Sequence, residues 1–182
     1  MNKTNVLLLY GLPCSGKSSV LQAMSNYHAI AVDTIITKIV ADPSIADFFR
    51  FSPDIVKNIV SEINNQQSKN YIIEMGCLIS KQAIDQLESS LSDQGYTFFN
   101  INLTADDDEL EQRIINRNRD IDSGKRQGIK VDGPDYLTRF KQVFDKNLPD
   151  RLIAIDTTAK SQESVLLEII KNTFDCSIHI VG

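Results

Sequence analysis

The chain has 182 residues, of which 42% are hydrophobic and 24% are charged, and its formal net charge is −5 at pH 7. This composition is that of one globular domain over residues 1–182, and the acidic balance argues against long nucleic acid as a partner because phosphate binding needs a basic face. No apolar run approaches the ~20 residues that a membrane helix needs. The first apolar stretch is too short for a signal peptide and the three cysteines are widely spaced, so we expect a cytoplasmic protein with no membrane partner.

The first predicted strand, residues 6–9, leads directly into a glycine-rich loop. Residues 11–18 read Gly-Leu-Pro-Cys-Ser-Gly-Lys-Ser, and apolar residues at helical spacing follow them. The glycines let backbone N–H groups approach an anion closely, and the positive end of the next helix points at the same place. Lys17 would add a cation for the β- and γ-phosphates, and the Ser18 hydroxyl would be a ligand for Mg²⁺. The pattern predicts a site for ATP or GTP that consists of Gly11, Leu12, Pro13, Cys14, Ser15, Gly16, Lys17, Ser18 and Ser19.

Strand-like and helix-like segments alternate along the rest of the chain, which is typical of a parallel sheet with helices on both faces. Short apolar runs predict the strands, and apolar residues three and four positions apart predict the helices. We therefore expect an α/β fold in three layers. The predicted strands are residues 6–9, 29–32, 71–73, 96–103 and 152–155, with an extra edge strand at 177–181, and the predicted helices begin at Lys17 or Ser18, Ser52, Ser80, Thr104, Tyr136 and Ser161.

One polar stretch interrupts this alternation. The helix that begins after Thr104 is predicted to end at about Arg117, and residues 118–133 contain three glycines and no apolar period. This composition is typical of a surface loop. We expect a lid over about residues 117–134.

The sequence after the glycine-rich loop narrows the class of nucleotide-binding protein. A GTPase would carry an Asn-Lys-x-Asp motif after a late strand, and none is present; the nearest sequence, residues 147–150, lacks the Lys and precedes a strand. The chain is also short for a helicase or a hexameric motor. The sequence therefore favours a small kinase, an enzyme that moves the γ-phosphate of a nucleotide to an acceptor.

Two acidic residues stand where predicted strands end. Asp33 follows the second strand and Glu74 ends the third, and ligands of open parallel sheets lie beyond these strand ends. Asp33 could take the proton of an attacking hydroxyl as a catalytic base, and it is also a good helix N-cap before Thr34. Glu74 could hold Mg²⁺ through water or fix an acceptor hydroxyl, or it could make only a structural hydrogen bond.

Two arginines, Arg113 and Arg117, lie four positions apart on one predicted helix and therefore share a face. Phosphoryl transfer spreads negative charge over the equatorial oxygens, and arginines of a closing lid neutralise it. We expect these two arginines to be the catalytic cations, with Arg117 also binding the nucleotide. The alternative is an ordinary i,i+4 ion pair of Glu109 with Arg113 on a solvated helix.

At these motifs the chain resembles a family of small P-loop kinases, those of the chloramphenicol phosphotransferase, zeta-toxin and polynucleotide-kinase kind (the AAA_33 type). The resemblance implies a central five-stranded parallel sheet of order 2-3-1-4-5 and the use of ATP with Mg²⁺. It also implies that Asp33 activates an acceptor hydroxyl and that Thr157 lies near the adenine. Unlike zeta toxins and polynucleotide kinases, the chain has no Arg soon after Asp33. The matching segments are residues 11–18, 31–34, 110–119 and 154–158.

The segment between the second and third predicted strands, about residues 34–69, usually binds the acceptor in such folds. It contains three phenylalanines around Arg50 within residues 48–51, which suggests a partly apolar pocket, although core packing between helices would explain the same cluster. The favoured partners are ATP and a small hydroxylated acceptor, either a metabolite or an antibiotic-like compound. A nucleoside, a nucleotide or a 5′-hydroxyl polynucleotide end is the first alternative, and a nucleotide-dependent binding module without catalysis is the second. Either a monomer or a homodimer would fit.

Overall fold

A five-stranded parallel sheet forms the centre of the computed structural model, which describes residues 4–41, 43–66, 68, 70–76, 78–125 and 136–174. The strands are β1 (Asn5–Tyr10), β2 (His28–Ala31), β3 (Asn70–Gly76), β4 (Thr97–Thr104) and β5 (Ile153–Asp156). Their spatial order is β2-β3-β1-β4-β5, so the order implied by the resemblance is confirmed. β1 lies in the middle and pairs with β3 on one side and with β4 on the other.

Helices connect the strands and cover both faces of the sheet, which confirms the α/β fold. The helices of the described residues are α1 (Lys17–Ala23), α2 (Val32–Ile39), α3 (Ile45–Arg50), α4 (Ser52–Gln66), α5 (Lys81–Asp93), α6 (Asp107–Asp122), α7 (Tyr136–Asn147) and α8 (Gln162–Phe174). Within the described ranges, none of these helices is long and apolar enough to cross a membrane.

The central strand β1 is apolar on both faces because helices cover both faces of a parallel sheet. Leu7 and Leu9 are fully buried on one face, in a cluster that includes Ile169 of α8. Val6 and Leu8 are fully buried on the other face, in a cluster that includes residues of α4 and α5. The strand is therefore fixed from both sides, and its carboxyl end carries the glycine-rich loop.

Helix α6 ends at Asp122 and not at about Arg117, so the predicted end of this helix is wrong. The N–H groups of Gly124 and Lys125 donate to carbonyls of the last turn at 3.1 and 2.9 Å, and Gly124 has a φ of +71°. This is a Schellman motif, in which glycine takes the left-handed conformation that ends a helix. The first residues of the predicted lid are thus helical. The sequence pattern does not predict them as helix because the last turns of α6 carry no apolar stripe.

Two further helix starts complete the description. Helix α2 begins at Val32, which the sequence pattern assigns to the second strand. Helix α3 begins with a capping box, in which the Asp47 carboxylate accepts from the N–H and the hydroxyl of Ser44 at 2.9 and 2.6 Å. The lid residues 126–134 and the edge strand predicted at 177–181 lie outside the described residues.

Candidate active site

The loop after β1 has a shape that requires glycine at its first position. Gly11 has a φ of +146°, and a Cβ there would lie 2.4 Å from Ser15 Oγ and 2.6 Å from the Leu103 carbonyl oxygen. Gly16 precedes α1 with a φ of +101°, and Cys14 is also left-handed with a φ of 65°. These conformations turn the backbone sharply between the strand and the helix, which is the geometry of an anion-binding loop.

The Lys17 side chain is folded into this loop. Its Nζ donates to the carbonyl oxygens of Gly11 at 2.8 Å and Leu12 at 2.9 Å. The residue is only 8% exposed. An ammonium has three N–H bonds, so Lys17 can hold these two carbonyls and still donate to an anion.

Ser18, in the first turn of α1, meets Glu74 of β3. The Ser18 hydroxyl donates to Glu74 Oε1 at 3.3 Å. Burial raises the pKa of the Glu74 carboxyl, and the negative charge of Asp33 adds to that rise. The pKa is lowered by three other groups, which are the Lys17 ammonium, the Ser18 hydroxyl and the Arg117 guanidinium. One half-buried carboxylate therefore has two cations, one hydroxyl and one further carboxylate within electrostatic reach.

The chemistry of this donor pair suits Mg²⁺. The ion prefers oxygen ligands and is usually bound by one or two protein groups together with water and substrate phosphates. The hydroxyl of Ser18 and the carboxylate of Glu74 are such groups. In the part of the chain that the structure describes, no group of three or more His, Cys, Asp or Glu residues could hold a metal by itself. The pair thus fits an ion that arrives with a nucleotide.

Asp33 lies inside α2 and is not its N-cap. The N-cap position is taken by Ala31, and Asp33 belongs to the first turn of the helix. Ala31 pairs with Glu74 across the neighbouring strands, so β2 brings Asp33 next to the end of β3. The side chain is exposed, which leaves the carboxylate open to an incoming ligand.

The two arginines of α6 point to different places, although they share a face of the helix. Arg117 lowers the pKa of Glu74, so its positive charge lies within electrostatic reach of that carboxylate. Arg113 instead donates to Glu109 at 2.8 Å, and also to Cys14 and to Thr157. The i,i+4 pair that the sequence offers as an alternative is therefore present, but it accounts for only one of the contacts of Arg113.

Thr157 follows β5 and is turned into the protein. It is 4% exposed, and its hydroxyl donates to the Thr104 carbonyl at 2.8 Å. The next segment also touches the helix that follows the glycine-rich loop, because Gln162 Nε2 donates to the Ser19 carbonyl of α1 at 2.7 Å. Sequence reasoning missed Gln162, and no local signal could have found it, since its partner is 143 positions away.

Two of the three phenylalanines of the predicted acceptor segment pack against the core. Phe48 and Phe51 pack against the apolar cluster on the α4 and α5 face of the sheet. The Arg50 guanidinium lies over the Phe51 ring, 5.2 Å from its centroid, within the range of a cation–π contact. Arg50 is exposed, so its guanidinium could meet a ligand.

Solved structures with the same fold include several kinases. A sugar kinase from Janibacter sp. HTCC2649 aligns with a TM-score of 0.61 at 14% identity, over 92% of this chain and 93% of the other. A gluconokinase from Sinorhizobium meliloti 1021 has a TM-score of 0.58 at 16% identity, over 98% of both chains. The APS kinase of Mycobacterium tuberculosis, in complex with AMPPNP and APS, has a TM-score of 0.58 at 15% identity, over 94% of this chain and 98% of the other. At these identities the likeness establishes the fold.

Sequence comparison identifies the family. No curated protein sequence matches the chain. The family model AAA_33, described as an AAA domain, matches residues 6–130, which is more than half of the chain. These residues include the glycine-rich loop, Asp33, Glu74 and both arginines of α6. The chain therefore belongs to the AAA_33 family, with the fold of the small P-loop kinases.

Proposed function

We propose that the protein is a phosphotransferase that moves the γ-phosphate of Mg-ATP to a hydroxyl group of a small acceptor. One observation carries the proposal: the groups that phosphoryl transfer needs lie together at the carboxyl ends of the central strands. Glu74 is within electrostatic reach of Lys17, Asp33 and Arg117, and it is hydrogen-bonded to Ser18. Such a set combines charge stabilisation with a carboxylate that can accept a proton.

The glycine-rich loop and Lys17 bind the nucleotide phosphates. Lys17 is held at the loop by two carbonyls at 2.8 and 2.9 Å, so its remaining donor is fixed in position before ATP arrives. A cation placed in advance lowers the barrier because it needs no rearrangement when negative charge develops. The AMPPNP complex of the structurally similar APS kinase supports ATP as the donor.

Ser18 and Glu74 would hold Mg²⁺, whose chemistry is to neutralise charge on the β- and γ-phosphate oxygens. Arg117 acts from α6, where its guanidinium stabilises charge on the transferred phosphoryl group. Both assignments rest on the position of these groups around Glu74.

Asp33 is the catalytic base. The acceptor hydroxyl oxygen forms a bond to the γ-phosphorus as the bond between that phosphorus and the β,γ-bridging oxygen breaks. The hydroxyl proton passes to the Asp33 carboxylate, and the products are ADP and a phosphate ester. The Asp33 carboxylate is exposed and near Glu74, so an acceptor hydroxyl can reach it.

The acceptor is expected to be a small polyhydroxylated compound. A sugar kinase and a gluconokinase share the fold over more than nine-tenths of the chain, which supports this class. Arg50 of α3 is an exposed cation that suits an acceptor with an acidic group, such as a sugar acid.

The test is an ADP-release assay with Mg-ATP and a panel of acceptors. The panel contains aldoses, gluconate, hydroxylated antibiotics, nucleosides, nucleoside monophosphates, adenylyl sulfate and 5′-hydroxyl oligonucleotides. Asp33→Asn should keep ATP binding and lose about 10²- to 10⁴-fold in turnover, whereas Lys17→Ala should lose both. Asp145→Asn, an exposed carboxylate on α7, controls for the loss of one charge.

The panel separates the alternatives. Turnover with one acceptor class that Asp33→Asn abolishes would establish the kinase and name its substrate. Turnover only with nucleosides or oligonucleotide ends would establish the nucleoside or polynucleotide kinase. Tight nucleotide binding without any turnover, together with a nucleotide-dependent change in affinity for a partner, would favour the binding module and contradict the proposal.

A further inference from the structure

Arg113 joins two loops that lie far apart in the sequence. Its Nη1 donates to the Cys14 carbonyl of the glycine-rich loop at 3.3 Å and to Thr157 Oγ1 at 3.0 Å. Its Nη2 donates to the Thr157 carbonyl at 2.8 Å. The guanidinium therefore lies between the loop that follows β1 and the loop that follows β5. Arginine suits this position because its donors are spread over a rigid planar fork.

The guanidinium is also fixed from its own helix. Arg113 Nε donates to Glu109 Oε1 at 2.8 Å, one turn earlier on α6. The Arg113 side chain is 26% exposed. Its partners fix the guanidinium through Nε and through both terminal nitrogens, so its direction is set in the absence of nucleotide.

Thr157 is an equally fixed partner. Its N–H and its hydroxyl both donate to the Thr104 carbonyl at 2.8 Å, at the end of β4. The hydroxyl oxygen also lies 3.3 Å from the Ser15 carbonyl oxygen of the glycine-rich loop. Thr157 thus links the sheet, Arg113 and the glycine-rich loop through one buried side chain.

The contact at Cys14 acts on a disfavoured backbone conformation. Cys14 has a φ of 65°, which residues with a Cβ rarely adopt. A cationic donor on its carbonyl favours the peptide orientation that this conformation requires. Loss of that donor would let the loop leave its present shape more often.

We infer that Arg113 is a positioning residue, which holds the glycine-rich loop at a fixed distance from the loop after β5, and that it does not touch the transferred phosphoryl group. The inference rests on the proposed function, because it assumes that the glycine-rich loop binds nucleotide. The two arginines of α6 then have different roles. Arg117 acts on the reacting phosphate, and Arg113 fixes the loop that binds the nucleotide phosphates. Arg113 variants should therefore bind nucleotide weakly but turn over normally once saturated.

The experiment compares Arg113→Met, Arg113→Lys, Thr157→Val and the double variant Arg113→Met/Thr157→Val. Arg151→Met is the matched control, because Arg151 is exposed and precedes β5, at the opposite end of the strand from Thr157. Circular dichroism first checks that each variant is folded. Calorimetry then gives the Kd for Mg-ADP, and steady-state assays give KM for ATP and kcat.

Arg113→Met and Thr157→Val should each raise the Kd for ADP about tenfold, since each removes hydrogen bonds of one junction. The double variant should resemble the single ones, because both changes break the same junction. The kcat at saturating ATP should stay within about twofold of the wild-type value, because only ground-state binding is lost. Arg113→Lys should not restore affinity, since one ammonium cannot reach both loops.

Amide hydrogen exchange of the nucleotide-free protein separates this inference from the proposed function. Faster exchange over residues 11–16 in Arg113→Met and Thr157→Val supports the junction even if the wild-type protein binds no nucleotide. Unchanged exchange together with an unchanged Kd for ADP would overturn it. A loss of kcat at saturating ATP with KM unchanged would mean that Arg113 is a catalytic residue. Full restoration of the ADP affinity by Arg113→Lys would mean that only the positive charge of Arg113 matters. Either result would also overturn the inference.

Discussion

The Ser18 hydroxyl donates to the Glu74 carboxylate across 3.3 Å, and this contact joins the start of α1 to β3. The two residues are 56 positions apart in the chain. The arrangement places a neutral oxygen ligand, the Ser18 hydroxyl, beside a negatively charged one, the Glu74 carboxylate, where the proposed site binds Mg²⁺.

Glu74→Gln keeps the shape of the side chain and removes its charge. We expect the Mg²⁺ concentration for half-maximal activity to rise about tenfold, because one anionic ligand is lost. A titration of activity with Mg²⁺ at saturating ATP measures this shift. Glu163→Gln, on the first turn of α8, is the control, and an unchanged Mg²⁺ requirement in Glu74→Gln would exclude a role for Glu74 in holding the ion.

Gly11→Ala should be severely destabilising. The new Cβ would meet Ser15 Oγ at 2.4 Å and the Leu103 carbonyl at 2.6 Å, and the residue would keep a φ of +146°. Gly95→Ala is the matched control, because Gly95 has a φ of +78° but a Cβ there would have no heavy atom within 4 Å. We expect about 1–2 kcal/mol of lost unfolding free energy for Gly95→Ala and clearly more for Gly11→Ala, measured by urea unfolding. Equal losses would mean that the loop relaxes around the methyl group.

Asn100→Ala should remove a buried hydrogen-bond junction. Asn100 Nδ2 donates to Glu88 Oε1 at 2.8 Å and to the Arg151 carbonyl at 3.1 Å, and the residue is 6% exposed. Truncation leaves both acceptors without this donor, so we expect a loss of about 1.5–3 kcal/mol in unfolding free energy. Asn65→Ala, on an exposed face of α4, should change it by less than about 0.5 kcal/mol. A loss no larger than that of the control would show that water replaces the missing amide.

Asp156 gives a pH dependence that can be measured by unfolding. Hydrogen bonds from the N–H and the hydroxyl of Thr158 hold the pKa of this carboxyl below its ordinary value of 3.8. Because the folded-state pKa is lower than that of the unfolded chain, the stabilisation is fully present above the unfolded value and is lost as the pH falls through the folded value. Asp156→Asn should therefore be less stable than the wild-type protein at pH 7, and the difference should disappear in acid.

Urea unfolding at pH 7 and at pH 3 tests this expectation. Asp145→Asn is the control for removing an exposed carboxylate. The expectation would be contradicted if the difference between Asp156→Asn and the wild-type protein were the same at both pH values.

Local patterns account for much of the fold and for the centre of the site. The run from β1 through the glycine-rich loop to α1 is continuous in sequence, so its geometry can be predicted from residue type and spacing. The alternating segments predict the parallel sheet, and the resemblance supplies the strand order that the structure confirms. The sequence pattern predicts a helix α6 that is too short, because the apolar residues of this helix stop before its backbone hydrogen bonds do. Gly124, with its positive φ, marks the true end of the helix.

The contacts of Arg113 could not be predicted in the same way. The sequence shows an arginine one turn after Glu109, and that pattern predicts only the local ion pair. Its partners Cys14 and Thr157 are 99 and 44 positions away. They meet Arg113 only because β1 and β5 flank β4 in the sheet, and side-chain direction at such a junction depends on packing that no local pattern encodes.

The place of β1 in the middle of the sheet has a consequence for how the protein is made. β1 precedes both of its neighbours, pairing Asn5 with Asn70 of β3 and with Thr97 of β4. During synthesis one edge of this hydrophobic strand stays unpaired until the residues of β4 have left the ribosome, since long-range pairings form only after the intervening chain exists. The glycine-rich loop, whose first glycine packs against the Leu103 carbonyl, therefore takes its shape only after more than half of the chain has been translated.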